Sequence, residues 1–281
     1  MKIAITSDTV IDMSKELLDK YDITTIPFSI LLGDDEYKDG EISSERIFEY
    51  VNETGVLPKT SAVNEETFKE FFSEVLKEYD AIVHFDISSE MSTTCNSAEK
   101  ASKHFDGKVV VIDSKTLSTG VALLAIYARK LTETETDINV IAEKVRNRID
   151  KVQASFVIER LDFLHKGGRC SSVALLGANL LKIKPQIIVK DGKMGSYRKY
   201  RGNMPSVITK YCKDVLEEFN HPDKSVLFIT YSSATPEMLQ AAHEVVDEYG
   251  FENVYETFAG ATVSSHCGPN TLGILYINDA E

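Results

Sequence analysis

The sequence predicts an α/β protein of two domains: an N-terminal three-layer domain built on a parallel sheet, residues 1–152, and a C-terminal mixed-sheet α/β domain, residues 153–281. Three observations lead there. The first half repeats one grammar, an apolar strand, then a hydroxyl-rich loop, then a helix, which is the pattern of a parallel sheet covered by helices. The second half departs from it: Asp191-Gly192 marks a hairpin turn between two strands, and helices alternate with further strands. The length, 281 residues, suits one large domain or two ordinary ones.

The elements follow in order. Residues 2–6 read as a strand ending in Ser7, Asp8 and Thr9, and 13–21 as a helix capped by Asp12 or Ser14. Residues 26–32 read as one apolar strand, 33–40 as an exposed acidic hairpin, and 43–52 as a helix. A short polar loop is expected at 58–61. In 64–79 the apolar residues Phe68, Phe71, Phe72, Val75 and Leu76 share one helical face, and Asn64 is placed to cap it. Residues 81–87 form a buried strand that runs into Ser88, Ser89, Ser92, Thr93 and Thr94, followed by a helix over 96–104. A strand at 108–112 ends in Asp113-Ser114, with helices at 123–131 and 138–149. Beyond a boundary near 150–154, strands are expected at 153–159, 185–189, 195–200, 225–231, 253–258 and 272–278, with helices at 173–181, 205–219 and 236–249. Strand-end loops of such a sheet share one rim, and a cleft between the domains is the expected ligand site.

Composition narrows the function. With 43% apolar and 27% charged residues the chain has a globular balance. A net charge of −13 argues against nonspecific nucleic-acid binding. No apolar run approaches the length of a membrane span, and the opening MKIAITSDT reads as a core strand, so no stable membrane insertion and a cytoplasmic location are expected. The cysteines at 95, 170, 212 and 267 lack CxxC spacing, so packing is expected rather than a disulfide framework or a metal site. No loop carries GxGxxG or GxxxxGK[ST].

The most informative stretch is LDFLHKGGRCSS at 161–172. Paired glycines let the backbone turn, and Arg169 on such a turn, with Ser171 and Ser172 beside it, suits a carboxylate or phosphate. Of six histidines, His84 lies within a buried strand, while His266 stands among Ser264, Ser265, Gly268 and Pro269 on an expected loop between two strands. Two chemistries fit the inventory of Thr60, Ser61, Ser92, Arg169 and His266. In one, Ser92 is a nucleophile, His266 its base and Asp113 the orienting acid of a hydrolase acting on long-chain esters, although GxSxG is absent. In the other, the hydroxyls and His266 hold a carboxylate with Arg169 nearby, and no activated nucleophile is needed.

Taken together, TSDTVID at 6–12, KTS at 59–61, ISSEMSTT at 87–94, VIDS at 111–114, LDFLHKGGRCSS at 161–172, KIKPQIIVKDGKM at 182–194 and HCGP at 266–269 resemble the DegV family, in the same order along essentially the whole chain. The resemblance implies a two-domain fold that buries a long-chain fatty acid such as palmitate, stearate or oleate, with no other cofactor. It also implies a non-catalytic role as the substrate-presenting subunit of a fatty acid kinase. A separate ATP-binding kinase protein would convert the acyl carboxylate to acyl-phosphate for phospholipid synthesis. Carried over by position, Thr60 and Ser92 would bind the carboxylate with Ser61 beside them, His266 and Arg169 would complete the network, and Arg201 and Lys199 would lie where the kinase docks. Thr93, Cys95 and Asn270 depart from the family pattern at the pocket mouth. Burying about 15 chain carbons at ~0.8 kcal/mol each gives roughly 12 kcal/mol gross. Association costs remove several kcal/mol or more of that, leaving useful reversible affinity. A protonated His266 would offset the anion, and Leu164, Leu175, Leu176 and Leu180 are candidate wall residues. The basic cluster Lys182, Lys184, Lys190, Lys193, Arg198, Lys199 and Arg201 is a candidate docking patch.

Overall fold

Strand β1 (Ile3–Asp8) is buried at every position, so it must be covered on both faces. It pairs in parallel with β2 (Ile23–Ile26) and β6 (Ala81–Asp86), and β6 pairs in parallel with β7 (Val109–Asp113), in the order β2-β1-β6-β7. Alternation along the strands divides the core. Ile3, Ile5, Val83 and Phe85 face α5 (Thr119–Leu131) and α6 (Ile138–Arg146). Ala4 and Ile82 face α3 (Glu65–Val75) and α4 (Thr94–Ser102), where Phe68, Phe72 and Ala98 fill the layer. These are the three layers expected. Helix α1 (Lys15–Tyr21) starts at Ser14, whose hydroxyl accepts from Leu17 N–H. The structure describes residues 1–170 and 183–280 of this computed structural model. The expected helix at 173–181, together with Ser171, Ser172, Leu175, Leu176, Leu180 and Lys182, lies outside the described residues.

Two short stretches differ from expectation. Residues 26–32 are not one strand: Pro27 has no N–H to continue the ladder and favours extended backbone before it, so the chain leaves the parallel sheet there. Strand β3 (Ser29–Leu32) then heads a separate antiparallel sheet with β4 (Asp35–Lys38) and β5 (Lys59–Ser61), ordered β4-β3-β5. The polar loop expected at 58–61 is thus strand β5, held by pairing rather than by apolar side chains. Helix α2 (Ser44–Thr54) connects β4 to β5 and is capped by Ser43.

The second sheet is mixed. Its strands β8 (Val152–Val157), β9 (Lys184–Lys190), β10 (Lys193–Tyr200), β11 (Leu227–Tyr231), β12 (Val254–Phe258) and β13 (Leu272–Ile277) are ordered β10-β9-β8-β13-β11-β12, and only the β11–β12 pair is parallel. The Asp191-Gly192 turn joins β9 to β10 as the sequence predicts, with positive φ at both residues. Helices α8 (Met204–Glu218) and α9 (Pro236–Val246) cover one face through Val207, Tyr211, Val215, Ala242 and Val245. The other face brings Ala154, Phe228 and Leu275 into the same apolar cluster as α5, so α5 lies between the two sheets. Helix α7 (Leu161–Gly167) follows β8. Residues 261–267, expected in a loop, form helix α10 (Ala261–Cys267) instead.

Candidate functional site

After Ala261, helix α10 is built of Ser, Thr, Val, His and Cys, weak helix formers, and it is held by its surroundings. At its start, Gly260 N–H donates to Asp12 Oδ1 at 2.8 Å and Ala261 N–H to Asp39 Oδ1 at 3.0 Å. Asp12 also accepts from Ser118, which stands before α5 with φ of 55°. Burial pushes the Asp12 carboxyl up to about 8 against the pull of these two hydrogen bonds, and it raises Asp39 as well. Along its length, Ser264 meets Ser44 of α2 at 2.8 Å, and both hydroxyls donate to the Ala259 carbonyl. At its end, α10 delivers His266.

One face of α10, Thr262, Val263, His266 and Cys267, forms part of the wall of a cavity of about 450 Å³ between the two sheets. The wall is mainly apolar, with Val10, Phe28, Leu117, Phe156, Leu164 and Leu275 among its residues. Several hydroxyls on the buried inner wall are committed to protein partners. Thr230 bonds Thr119 and Thr257, Ser232 donates to Gly268 O at 2.6 Å, and Thr271 donates to Cys267 O at 3.0 Å. The Cys267 thiol is likewise held protonated, because burial pushes it up to about 12.

The less buried rim carries the polar groups that are available. The strand alternation of β5 turns Thr60 into the cavity and leaves Ser61 exposed and outside its lining. Thr60 Oγ1 lies 2.9 Å from His266 Nε2. Ser92, on the loop after β6, has Oγ 3.0 Å from Thr94 Oγ1 and accepts from Thr94 N–H at 3.2 Å. Arg169 lies exposed at the rim, and its Nη1 donates to Gly167 O at 2.7 Å. The cavity therefore gathers Thr60, Ser92, Arg169 and His266 from four separate segments of the chain, but not Ser61.

His266 is not the cation envisaged from the sequence. Burial, and secondarily the Arg169 guanidinium, lower its pKa to about 4, so the ring is neutral at pH 7. Nor is a Ser-His-Asp triad assembled. His266 Nε2 meets Thr60, its Nδ1 is buried without a hydrogen-bond partner, and Asp113 accepts from Ser89 and Lys115. The Asp113 carboxyl is half-buried, which alone would raise it, but Lys115 and Ser89 hold it below the usual range. The His84 ring is buried, bonded to Thr6 at 2.8 Å and edge-on to Phe68 and Phe72, in agreement with its core assignment. Among the described residues no His/Cys/Asp/Glu group could hold a metal ion, and no helix is long and apolar enough to cross a membrane.

Sequence reasoning missed Thr94 as the partner of Ser92, Glu90 and Met194 on the wall, and the acidic clamp on α10. The hydroxyl run after β6 pointed to the first. Asp12 and Asp39 gave no signal, since their partners lie more than 200 residues away in the sequence.

Known proteins share this fold. The chain is 31% identical over 288 residues to a protein of Thermotoga maritima named fatty acid-binding protein, covering 97% of this chain and 96% of the relative. A Thermus thermophilus structure, described as fatty acid binding of a DegV family protein, superposes with a TM-score of 0.90 at 26% identity and covers 99% of this chain and 100% of its own. A stearic acid-binding protein of Eubacterium ventriosum gives a TM-score of 0.82 at 27% identity, covering 98% of each chain. The family model described as "uncharacterised protein, DegV family" matches residues 2–279. The fold and these matches agree, and the chain belongs to the DegV family.

Proposed function

We propose that this protein binds a long-chain fatty acid in the cavity between its sheets, with the carboxylate at the rim beside Thr60, Ser92 and His266 and with Arg169 close by. The observation that carries this reading is the division of the cavity: a mainly apolar interior in which Thr230, Ser232 and Thr271 are already bonded, and a rim with a hydroxyl pair, a neutral imidazole and one guanidinium. A volume of about 450 Å³ is in the range of small-molecule sites and suits one acyl chain. The names of the Thermotoga and Eubacterium relatives support the ligand class.

The protein is a carrier in this reading, without catalysis of its own. A separate ATP-dependent kinase would transfer the γ-phosphoryl group to the presented carboxylate, giving acyl-phosphate and ADP, and the setting would be the cytoplasm, where ATP is at hand. The basic cluster supports a docking role only in part. Lys184, Lys193 and Arg198 are paired with Glu159, Glu90 and Glu218 respectively. Lys190, Lys199 and Arg201 are exposed with no ion pair among the described residues, and of these Lys199 and Arg201 are the docking candidates carried by position.

The test is direct. Purified protein is denatured, extracted into organic solvent and analysed by mass spectrometry. Near-stoichiometric fatty acid is expected, and Ser92→Ala and Arg169→Ala should each bind added oleate more weakly. An extract without lipid, together with no binding of palmitate or oleate, would sink the proposal. For the kinase step, Lys199→Ala/Arg201→Ala should lower acyl-phosphate formation by a supplied kinase while leaving oleate affinity intact.

A further inference from the structure

We infer that Gly167 is a positioning residue for the carboxylate site: its missing side chain seats α7 against the His266 ring, fixes the imidazole as its Nε2–H tautomer, and thereby makes Thr60 a hydrogen-bond donor to the ligand. The part concerning the ligand rests on the fatty-acid reading above; the tautomer does not.

The two glycines of the GG pair are glycine for different reasons. Gly168 has φ of 71°, a backbone conformation other residues resist, and open space where a Cβ would be. Gly167 ends α7 without positive φ, so its backbone would accept alanine. What it lacks is room. A Cβ there would lie 2.7 Å from His266 Nδ1 and 3.6 Å from both Cε1 and Cγ. The bare Cα of Gly167 is thus the surface against which the imidazole edge rests. The same residue's carbonyl accepts from Arg169 Nη1 at 2.7 Å, so one position orders both nitrogenous groups of the rim.

The contact decides where the ring proton sits. Nδ1 is buried against Gly167 with no hydrogen-bond partner. A buried N–H without an acceptor is rarer and costlier than a lone pair without a donor. The proton therefore belongs on Nε2, 2.9 Å from Thr60 Oγ1, and the imidazole donates to the threonine. With that lone pair used, the hydroxyl hydrogen of Thr60 turns to the cavity it lines and can donate to a carboxylate. In the opposite tautomer Thr60 would donate to Nε2 and offer the anion only lone pairs.

The experiment reads the tautomer first. The protein is labelled with ¹⁵N-histidine, His266 is assigned from the signal lost in His266→Gln, and the spectrum is recorded at pH 7 on delipidated protein. A neutral ring protonated at Nε2 is expected; an Nδ1–H tautomer or an imidazolium overturns the inference whatever the protein binds. Oleate affinity is then measured for Gly167→Ala in two backgrounds. The substitution should weaken binding at least tenfold beside His266 and less than threefold in His266→Gln, whose flexible side chain can yield. Equal losses in both backgrounds would reduce Gly167 to a structural role and overturn the positioning claim. Should Gly167→Ala not fold, an Nδ1–H tautomer in the parent protein still overturns the inference. Absence of any oleate binding by the parent would instead defeat the fatty-acid reading and leave the tautomer result standing.

Discussion

Thr60 is where residue chemistry bears most directly on function. Its hydroxyl is poised between His266 and the cavity, so on the proposed fatty-acid reading Thr60→Ala removes a donor to the carboxylate, a charge-assisted bond worth about 1.5–3 kcal/mol. An oleate affinity roughly tenfold or more lower is expected by fluorescence competition, with Thr60→Ser close to the parent. Asp12 makes a prediction about pH. Its carboxyl is raised to about 8 in the folded protein from an ordinary value of 3.8. A raised folded-state value means that the unfolded chain loses its proton first as pH rises, so stability is full below about pH 4 and declines through about pH 8, where the penalty levels off. Asp12→Asn keeps an acceptor for Gly260 N–H and supplies a donor toward Ser118, and Asn tolerates the positive φ of 52° at this position. The melting temperature of Asp12→Asn should therefore vary less between pH 5 and pH 9 than that of the parent. Parallel profiles would show that Asp12 is already ionised at neutral pH.

At the scale of elements, α10 shows why some structure escapes a reading of the chain. Ser44 anchors it by donating to Ala259 O at 2.9 Å and meeting Ser264 at 2.8 Å, so Ser44→Ala strands buried groups. A loss of about 1–3 kcal/mol is expected in urea titration, and a change near zero would mean that α10 is held without this anchor. Periodic elements such as α3 and buried strands such as β6 were legible because their own side chains pay out the pattern of burial. Helix α10 was not, since ATVSSHC has neither amphipathic spacing nor helix-forming composition, and its stability comes from Asp12, Asp39 and Ser44, distant in sequence. Strand β5 is polar and three residues long, and only its pairing with β3 defines it. The chemistry of the site was more legible than its form. Thr60, Ser92, Arg169 and His266 were readable as polar residues in loops or turns, whereas the face of Ser61 depended on a strand not foreseen, and the charge of His266 on a burial no local sequence reports.

On the scale of the whole molecule, the two sheets are not independent bodies with a ligand between them. Helix α5 packs on the parallel sheet with Val121 and Leu124, and the same apolar cluster takes in Phe228 and Leu275 of the mixed sheet. The Arg148 guanidinium adds a partly buried tie to Asp223 and Asp279. A continuous core predicts one cooperative thermal transition. Phe228→Ala, which opens a cavity next to α5, should lower stability by about 3–5 kcal/mol while keeping that single transition. Two resolved calorimetric peaks in the parent protein would show that the halves unfold separately.

Cys267 turns the inner wall of the cavity into something a clock can measure. A thiol reacts with an alkylating reagent as its thiolate, and this one sits in the cavity wall, 5% exposed, with its ionisation deferred to about 12. Iodoacetamide at pH 8 can reach it only during the moments when the wall parts. The rate of carbamidomethylation at Cys267, followed by peptide mass spectrometry, thus reports the fraction of time the wall is parted, and on the proposed fatty-acid reading oleate should slow it as the unliganded fraction falls. A loaded protein whose Cys267 is labelled as fast as that of the unfolded chain would have no door to open.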